Sequence, residues 1–195
     1  MTHKNLLLIM LLTIKKALSS LLLFFTLSTF AEINNVSIVI HGGAGWFTGM
    51  AQDDIDGIKK ALEESANKGY EIMLKGGTSI DAVEEAIVIL EDNPLFNAGK
   101  GAVYTSEFKQ ELDASIMNGS DLNAGAAASV TNVKNPIRLA RHIMENTKHV
   151  MFSSKGAERV AKEAGLEIVY PSYFYSKEKL ERARNQQKKS KMGTV

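Results

Sequence analysis

A short hairpin pattern in the middle of the chain limits the available folds more than any other segment. Two runs of small or apolar residues, 112–117 and 124–130, flank the turn sequence Asn118-Gly119-Ser120-Asp121. Asn-Gly is a strong hairpin signal because both residues tolerate the positive φ angles of tight turns between antiparallel strands. The pattern predicts an antiparallel pair of strands and argues against an all-parallel sheet.

Helical patterns lie on both sides of this hairpin. Thr78 and Asp81 form a capping-box-like pair at the start of one helix. Apolar residues at three- and four-residue spacing, or a capping residue followed by proline, indicate the others. Four helices are predicted: at 52–70, from Thr78 to the stop at Asn93-Pro94, from Asn135-Pro136 past Met144, and at 156–165. Two further strands are predicted at 36–40 and 149–153. This mixture of elements predicts an α+β layered fold.

Residues 1–31 are typical of an export signal. Positive charges precede an uncharged apolar run at 17–30, which ends with small residues at Thr29 and Ala31. Cleavage after Ala31 would send the mature protein to the periplasm or out of the cell. Two alternatives stay open: a membrane anchor formed by the apolar residues, and translation from Met10, which would leave a shorter signal.

Charge and cysteine content exclude several classes of partner. The chain has 23 basic and 22 acidic residues, which gives no electrostatic reason to expect nucleic acid. It has no cysteine, so a disulfide framework and a thiolate metal site are both excluded. Between residues 177 and 191, seven Lys or Arg residues stand against two Glu, and 185–190 has no apolar residue. This segment is predicted to be a solvated basic linker.

Four motifs occur in a fixed order along the chain. They are His41-Gly42-Gly43-Ala44-Gly45, the run from Asn93 to Thr105, the run from Glu111 to Met117, and Gly193-Thr194-Val195. Together they resemble the isoaspartyl peptidase/plant-type asparaginase family of N-terminal-nucleophile (Ntn) hydrolases. One departure is Asn118, where the family often has Asp after the methionine; this puts in doubt a carboxylate role there but not the turn.

The resemblance implies a four-layer αββα sandwich of Ntn-hydrolase type, incomplete here because the β-chain half is missing. The implied organisation is a signal peptide (1–31), the α-chain part of the domain (32–176), a basic flexible linker ending at a self-cleavage site (177–193), and the start of the β chain (194–195). Partners implied by the family are the β chain of the same precursor, a dipeptide or small-molecule substrate, and an (αβ)2 assembly.

By the same resemblance, the chain cuts itself between Gly193 and Thr194, and the freed Thr194 is the catalytic nucleophile that hydrolyses β-aspartyl peptides, L-asparagine, or both. Chemistry supports this role, because a threonine at a chain terminus carries its own base, an α-amine with a pKa near neutrality. Glycine at 193 would let the scissile peptide adopt a strained geometry without a Cβ clash. The oxyanion hole and the groups that hold the substrate would lie in the β chain.

Two loops are expected to support the site. The loop His41, Gly42, Gly43 and Gly45 would pass close to the nucleophile's strand, and His41 is interpreted as structural because an N-terminal threonine needs no histidine base. Asn97 would position the substrate or nucleophile, or stabilise a turn.

The resemblance further implies a structural sodium ion and no other cofactor. Its ligands would be the main-chain carbonyls of Leu90, Glu91, Asn93, Phe96, Ala98 and Lys100. Hard cations prefer oxygen ligands, so the chemistry is reasonable, although a turn without an ion is the plainer interpretation of the same residues.

Three rival interpretations stay open. The glycosylasparaginase branch is disfavoured, since it normally has Asp before the nucleophile and lacks the loop that begins at His41. A truncated, inactive remnant, or a binding partner of a separately encoded β chain, would have the same sequence. A periplasmic binding protein is compatible with the signal alone.

Overall fold

The computed structural model describes residues 35–44 and 48–192, and the described elements are those of an α+β protein, as predicted. The helices are α1 (Gln52–Leu74), α2 (Ser79–Glu91), α3 (Pro136–Asn146), α4 (Ser154–Glu163) and α5 (Lys177–Met192); the strands are β1 (Leu112–Met117), β2 (Ala124–Val130) and β3 (Met151–Ser153); 3₁₀ turns lie at Gly99–Gly101 and Pro171–Phe174. Within this part of the chain, no helix is both long and apolar enough to cross a bilayer. The predicted signal at 1–31 lies outside the described residues.

The three strands form one mixed sheet in the order β1-β2-β3. β1 and β2 are antiparallel, which confirms the hairpin, and β2 and β3 are parallel. The turn is longer than a two-residue Asn-Gly turn: Asn118 N–H donates to the Asn123 carbonyl at 2.8 Å, and the residue with positive φ is Leu122, at 62°. The four-layer sandwich stays a prediction, because the described residues form a single sheet.

Helix α3 covers one face of the sheet. Leu139, Ala140 and Ile143 recur at helical spacing and are fully buried. The helix lies very close to β2, because a Cβ at Gly125 would meet the Ala140 carbonyl and lie 2.5 Å from Met144 N. Only glycine fits at this contact, which sets the distance between helix and sheet.

Helices α1 and α2 pack through small residues. The buried residues of α1 are Ala61, Ser65 and Gly69, whereas the larger apolar side chains of its predicted face are only partly buried. Ser65 Oγ donates to the Ala86 carbonyl at 2.7 Å, so its buried hydroxyl is satisfied. At the start of α2 the predicted capping box is present, with Asp81 N–H donating to Thr78 Oγ1 at 3.1 Å.

The segment 36–40 differs from its prediction. Its β-branched residues indicated a buried strand, but in the described part of the chain it pairs with no strand, and Val39 is 92% exposed. Ile40 packs against the cluster of Ala61, Leu90 and Phe96. The residues favour extended backbone, but a ladder also needs a neighbouring strand, and the described residues supply none here.

The segment after Lys177 also differs from its prediction. It was predicted to be a flexible linker, but it is helical to Met192. Lys, Glu, Arg, Ala and Gln are good helix formers even when no apolar residue is present. An ion pair between Glu178 and Arg182 and a hydrogen bond from Lys179 N–H to Ser176 Oγ (3.3 Å) stabilise its first turns.

Candidate functional site

The predicted cleavage site and nucleophile, Gly193 and Thr194, lie outside the described residues, as does Gly45. The structure places the other predicted site residues at the end of α2, which carries Leu90 and Glu91, and in two loops. One is the glycine loop that begins at His41, and the other is the connection 92–103, which leads from α2 towards β1.

The histidine loop is held by its own side chain. Gly43 N–H donates to His41 Nδ1 at 3.1 Å, and Gly43 has a φ of 95°, which glycine adopts without strain. A Cβ at Gly42 would lie 3.1 Å from Leu62 and 3.2 Å from Phe96, so this loop rests between α1 and the 92–103 connection. His41 therefore holds a turn next to the second loop.

Two asparagines organise the 92–103 connection. Asn93 Oδ1 accepts from Leu95 N–H at 2.9 Å, and Asn97 Oδ1 accepts from Val103 N–H at 3.0 Å. A Cβ at Gly99 would meet the Glu91 carbonyl, so the backbone folds back onto the end of α2. In this geometry the contact of Asn97 is that of a turn-stabilising residue.

The carbonyls predicted to hold sodium are partly engaged in hydrogen bonds within the chain. Leu90 and Asn93 accept backbone hydrogen bonds at 3.3 Å, Ala98 accepts one at 2.9 Å, and Phe96 accepts one from the side chain of Lys179 at 3.3 Å. Four of the six oxygens thus contact donors of this chain. Each carbonyl oxygen has a second lone pair, so these bonds alone leave room for an ion, but the ammonium on the Phe96 oxygen disfavours another cation there. Sodium binding stays a prediction.

Lys179 was not identified from the sequence. Its ammonium group donates to the carbonyls of Pro94 (2.9 Å), Phe96 (3.3 Å) and Gly101, across more than 75 residues of chain. Burial lowers its pKa from the ordinary value, and the nearby charge of Arg182 acts in the same direction. No local signal separates Lys179 from the other lysines of α5, because the contact depends on how the helix lies in three dimensions.

The side chain of Glu91 was also missed. It is 3% exposed, and its Oε1 accepts from Ile137 N–H at 3.0 Å, while Oε2 has no hydrogen-bond partner among the described residues. Burial raises the pKa of Glu91 to about 8, against the opposing effect of the hydrogen bond from Ile137. The sequence had predicted a role only for the main-chain carbonyl of Glu91, as a sodium ligand, and none for its side chain.

Two open clefts lie away from the predicted site residues. One, of about 420 Å³, is lined by residues that include Tyr104, Gln110 and Thr131. The other, of about 480 Å³, lies between the start of α2 and the hairpin turn. None of the predicted site residues lines either cleft. Within the described part of the chain, no three His, Cys, Asp or Glu residues come together to hold a metal.

Comparison with known proteins identifies similar sequences over nearly all of the chain that follows the predicted signal. A family model described as Asparaginase matches residues 34–195. A plant-type L-asparaginase of Pyrococcus furiosus is 46% identical over 138 residues, which cover 71% of this chain and 43% of that protein. An isoaspartyl peptidase/L-asparaginase of Bos taurus is 38% identical over 158 residues, covering 81% of this chain and 49% of that protein. The chain spans about half the length of the curated relatives it matches.

Proposed function

Since this chain belongs to the asparaginase family, which includes isoaspartyl peptidases and plant-type L-asparaginases, we propose that it forms the N-terminal half of an amidohydrolase. Its substrates would be β-aspartyl peptides, L-asparagine, or both. The observation that carries the proposal is the family match, which runs from residue 34 through Thr194.

The proposed nucleophile is Thr194, freed by cleavage of the peptide bond after Gly193. In the uncut chain the threonine hydroxyl attacks the Gly193 carbonyl, the C–N bond between Gly193 and Thr194 breaks, and the freed nitrogen takes up the hydroxyl proton. Water then hydrolyses the resulting ester to the Gly193 carboxylate and the threonine hydroxyl. In the mature enzyme the new α-amine accepts the hydroxyl proton as Oγ attacks the substrate's side-chain amide. The amine or ammonia leaves with that proton, and water releases aspartate from the threonyl ester.

One face of the sheet is left uncovered by the described residues, which supports a second half of the domain. Asp113, Ser115 and Met117 of β1 and Met151 of β3 are exposed, while α3 covers the opposite face. An α+β sheet that is apolar on one side and open on the other can take a second sheet, which would generate the four-layer arrangement. The segment 36–40, which pairs with no strand among residues 35–44 and 48–192, offers a further edge for a strand.

We also propose that the complete protein assembles as (αβ)2 and is exported by the signal at 1–31. The alternative function is that of an inactive remnant, or of a binding partner for a β chain encoded elsewhere.

The test is to sequence the gene beyond codon 195 and to assay the full product. The proposal expects a reading frame that continues, and a product that releases aspartate from asparagine or from a β-aspartyl dipeptide, with no activity in the 195-residue chain alone. A Thr194→Ala product should be inactive, whereas a Thr105→Ala product should keep its activity. Hydrolysis by the Thr194→Ala protein at the unmodified rate would refute the proposal, and a stop codon after Val195 would favour the alternative.

A further inference from the structure

A single ammonium group is held by three backbone oxygens in the connection between α2 and β1. Lys179 Nζ lies 2.9 Å from the Pro94 carbonyl oxygen and 3.3 Å from that of Phe96, and it also contacts that of Gly101. A lysine ammonium has three N–H donors and no acceptor. Three converging carbonyls therefore satisfy it completely.

The loop itself brings these oxygens together. A Cβ at Gly101 would meet the Phe96 carbonyl and would lie 2.7 Å from the Pro94 oxygen, so only glycine allows this approach. The Phe96 side chain is 5% exposed and packs with Ala61 and Leu90, which anchors the loop backbone at this residue. The carbonyl cluster, meaning the main-chain oxygens of Pro94, Phe96 and Gly101, is thus a property of the loop, and Lys179 enters it from α5.

The contacts of Lys179 are those of a bound cation and not of a surface ion pair. Its neighbour Glu178 pairs with Arg182 instead. Neutral backbone oxygens are also the ligands that hard cations prefer. The side chain is only partly exposed, and more than 75 residues separate it from each of its partners.

Other contacts extend the same interface along α5. Ser176 N–H donates to Tyr104 Oη at 3.2 Å, and Gln187 Nε2 donates to the Ser106 carbonyl at 3.1 Å. The guanidinium of Arg184 lies 5.8 Å from the ring centroid of Phe108. Each of these three contacts is a single interaction, whereas the partly buried ammonium of Lys179 makes three charge-assisted hydrogen bonds, so it is the strongest polar attachment of the helix among those described.

We propose that the ammonium of Lys179 is the cation held by this loop, in place of an added metal ion, and that this contact docks helix α5 on the loop. The Phe96 oxygen belongs both to the carbonyl cluster and to the set predicted to bind sodium. A metal ion at that oxygen would face the ammonium at short range, and like charges in a partly buried site repel strongly. The ammonium group of Lys179 therefore takes the place of an exchangeable metal ion.

Hydrogen exchange tests the docking contact in the 195-residue chain. Lys179→Met removes the ammonium and keeps an unbranched apolar side chain, and Lys188→Met makes the same change at an exposed position of α5. Lys179→Met should speed amide exchange at least about tenfold in peptides covering 94–103 and 177–190, because local opening no longer breaks three charge-assisted hydrogen bonds. Equal exchange in the two variants would overturn the proposal.

The sodium dependence of the unmodified chain tests the same proposal without any variant. Thermal unfolding is followed in sodium chloride and in choline chloride at equal concentration, so that ionic strength is constant. The proposal expects the same Tm in both salts, within about 1 °C. A Tm several degrees higher in sodium chloride would mean that the loop takes a metal ion in addition to Lys179, and would overturn it.

Discussion

Replacing Glu91 with glutamine is expected to remove much of the pH dependence of this protein's stability. The wild-type carboxyl is buried at the end of α2, and its Oε1 accepts the backbone N–H of Ile137. Glutamine has nearly the same shape, keeps an oxygen for that N–H, and carries no charge at any pH. The variant therefore isolates the cost of ionising this one group.

The magnitude follows from the two pKa values. Burial raises the pKa of Glu91 to about 8, from an ordinary value of 4.5. Between these pH values the folded state keeps a proton that the unfolded state releases, so the stabilisation present below pH 4.5 is lost as pH rises through 8. Each pH unit in this window lowers the free energy of unfolding by up to about 1.4 kcal/mol, which gives an upper limit of about 5 kcal/mol. Relaxation of the protein around the ionised group reduces the expected loss to roughly 2–5 kcal/mol.

Urea denaturation of the wild type, Glu91→Gln and the exposed control Glu163→Gln at pH 5, 7 and 9 measures this effect. The free energy of unfolding of Glu91→Gln, relative to the wild type, should increase by about 2–5 kcal/mol from pH 5 to pH 9. Comparing the two proteins at each pH cancels the pH-dependent contributions that they share. If their curves run parallel, or if Glu163→Gln gives the same change, ionisation of Glu91 is not the cause.

Two further substitutions test how the elements pack. Arg141→Met should lower the free energy of unfolding, measured in urea, by about 1–3 kcal/mol, because the buried Glu84 carboxylate then keeps only Arg138 as an ion-pair partner. The control is Lys148→Met, at an exposed position; an equal loss of stability in both variants would show that the ion pair with Glu84 is not the cause. Gly125→Ala should lower it by at least about 1–3 kcal/mol, because the new methyl group meets the backbone of α3, whereas Gly119→Ala has open space around its Cβ and should change it little. A Gly125→Ala protein as stable as Gly119→Ala would show that α3 does not lie so close to β2.

Sequence patterns correctly predicted those elements that are determined by residues close together in the sequence. The strands at 112–117 and 124–130 and the capping box of Thr78 and Asp81 lie where the sequence put them. Each depends on neighbouring residues: alternation and turn residues for the hairpin, and a side chain three positions away for the cap.

Features that depend on distant partners were predicted less well. The segment 36–40 has strand-forming residues but no described neighbour to pair with. The segment after Lys177 was predicted to be a linker because it is charged, but helix propensity and its contacts with the 92–109 region make it a helix. The helix α1 buries Ala61, Ser65 and Gly69, since close packing against α2 selects small residues over the larger apolar ones.

The residues of the candidate site also fall into two groups, those whose contacts are local in sequence and those whose contacts depend on the fold. The motifs placed His41 and Asn97 in loops, where the structure has them, and their hydrogen bonds are local. The role of Lys179 could not be predicted, because its partners at Pro94, Phe96 and Gly101 are brought near it only by the fold. The burial of the Glu91 side chain likewise depends on how α2 meets α3.

In the proposed mechanism, Thr194 becomes the nucleophile when the chain is cut before it. Intact-mass spectrometry of the full gene product after folding tests this most directly. The wild-type product should give two fragments, the second beginning at Thr194, and Thr194→Ala should give a single uncut species. An active wild-type product that stays in one piece would contradict this mechanism.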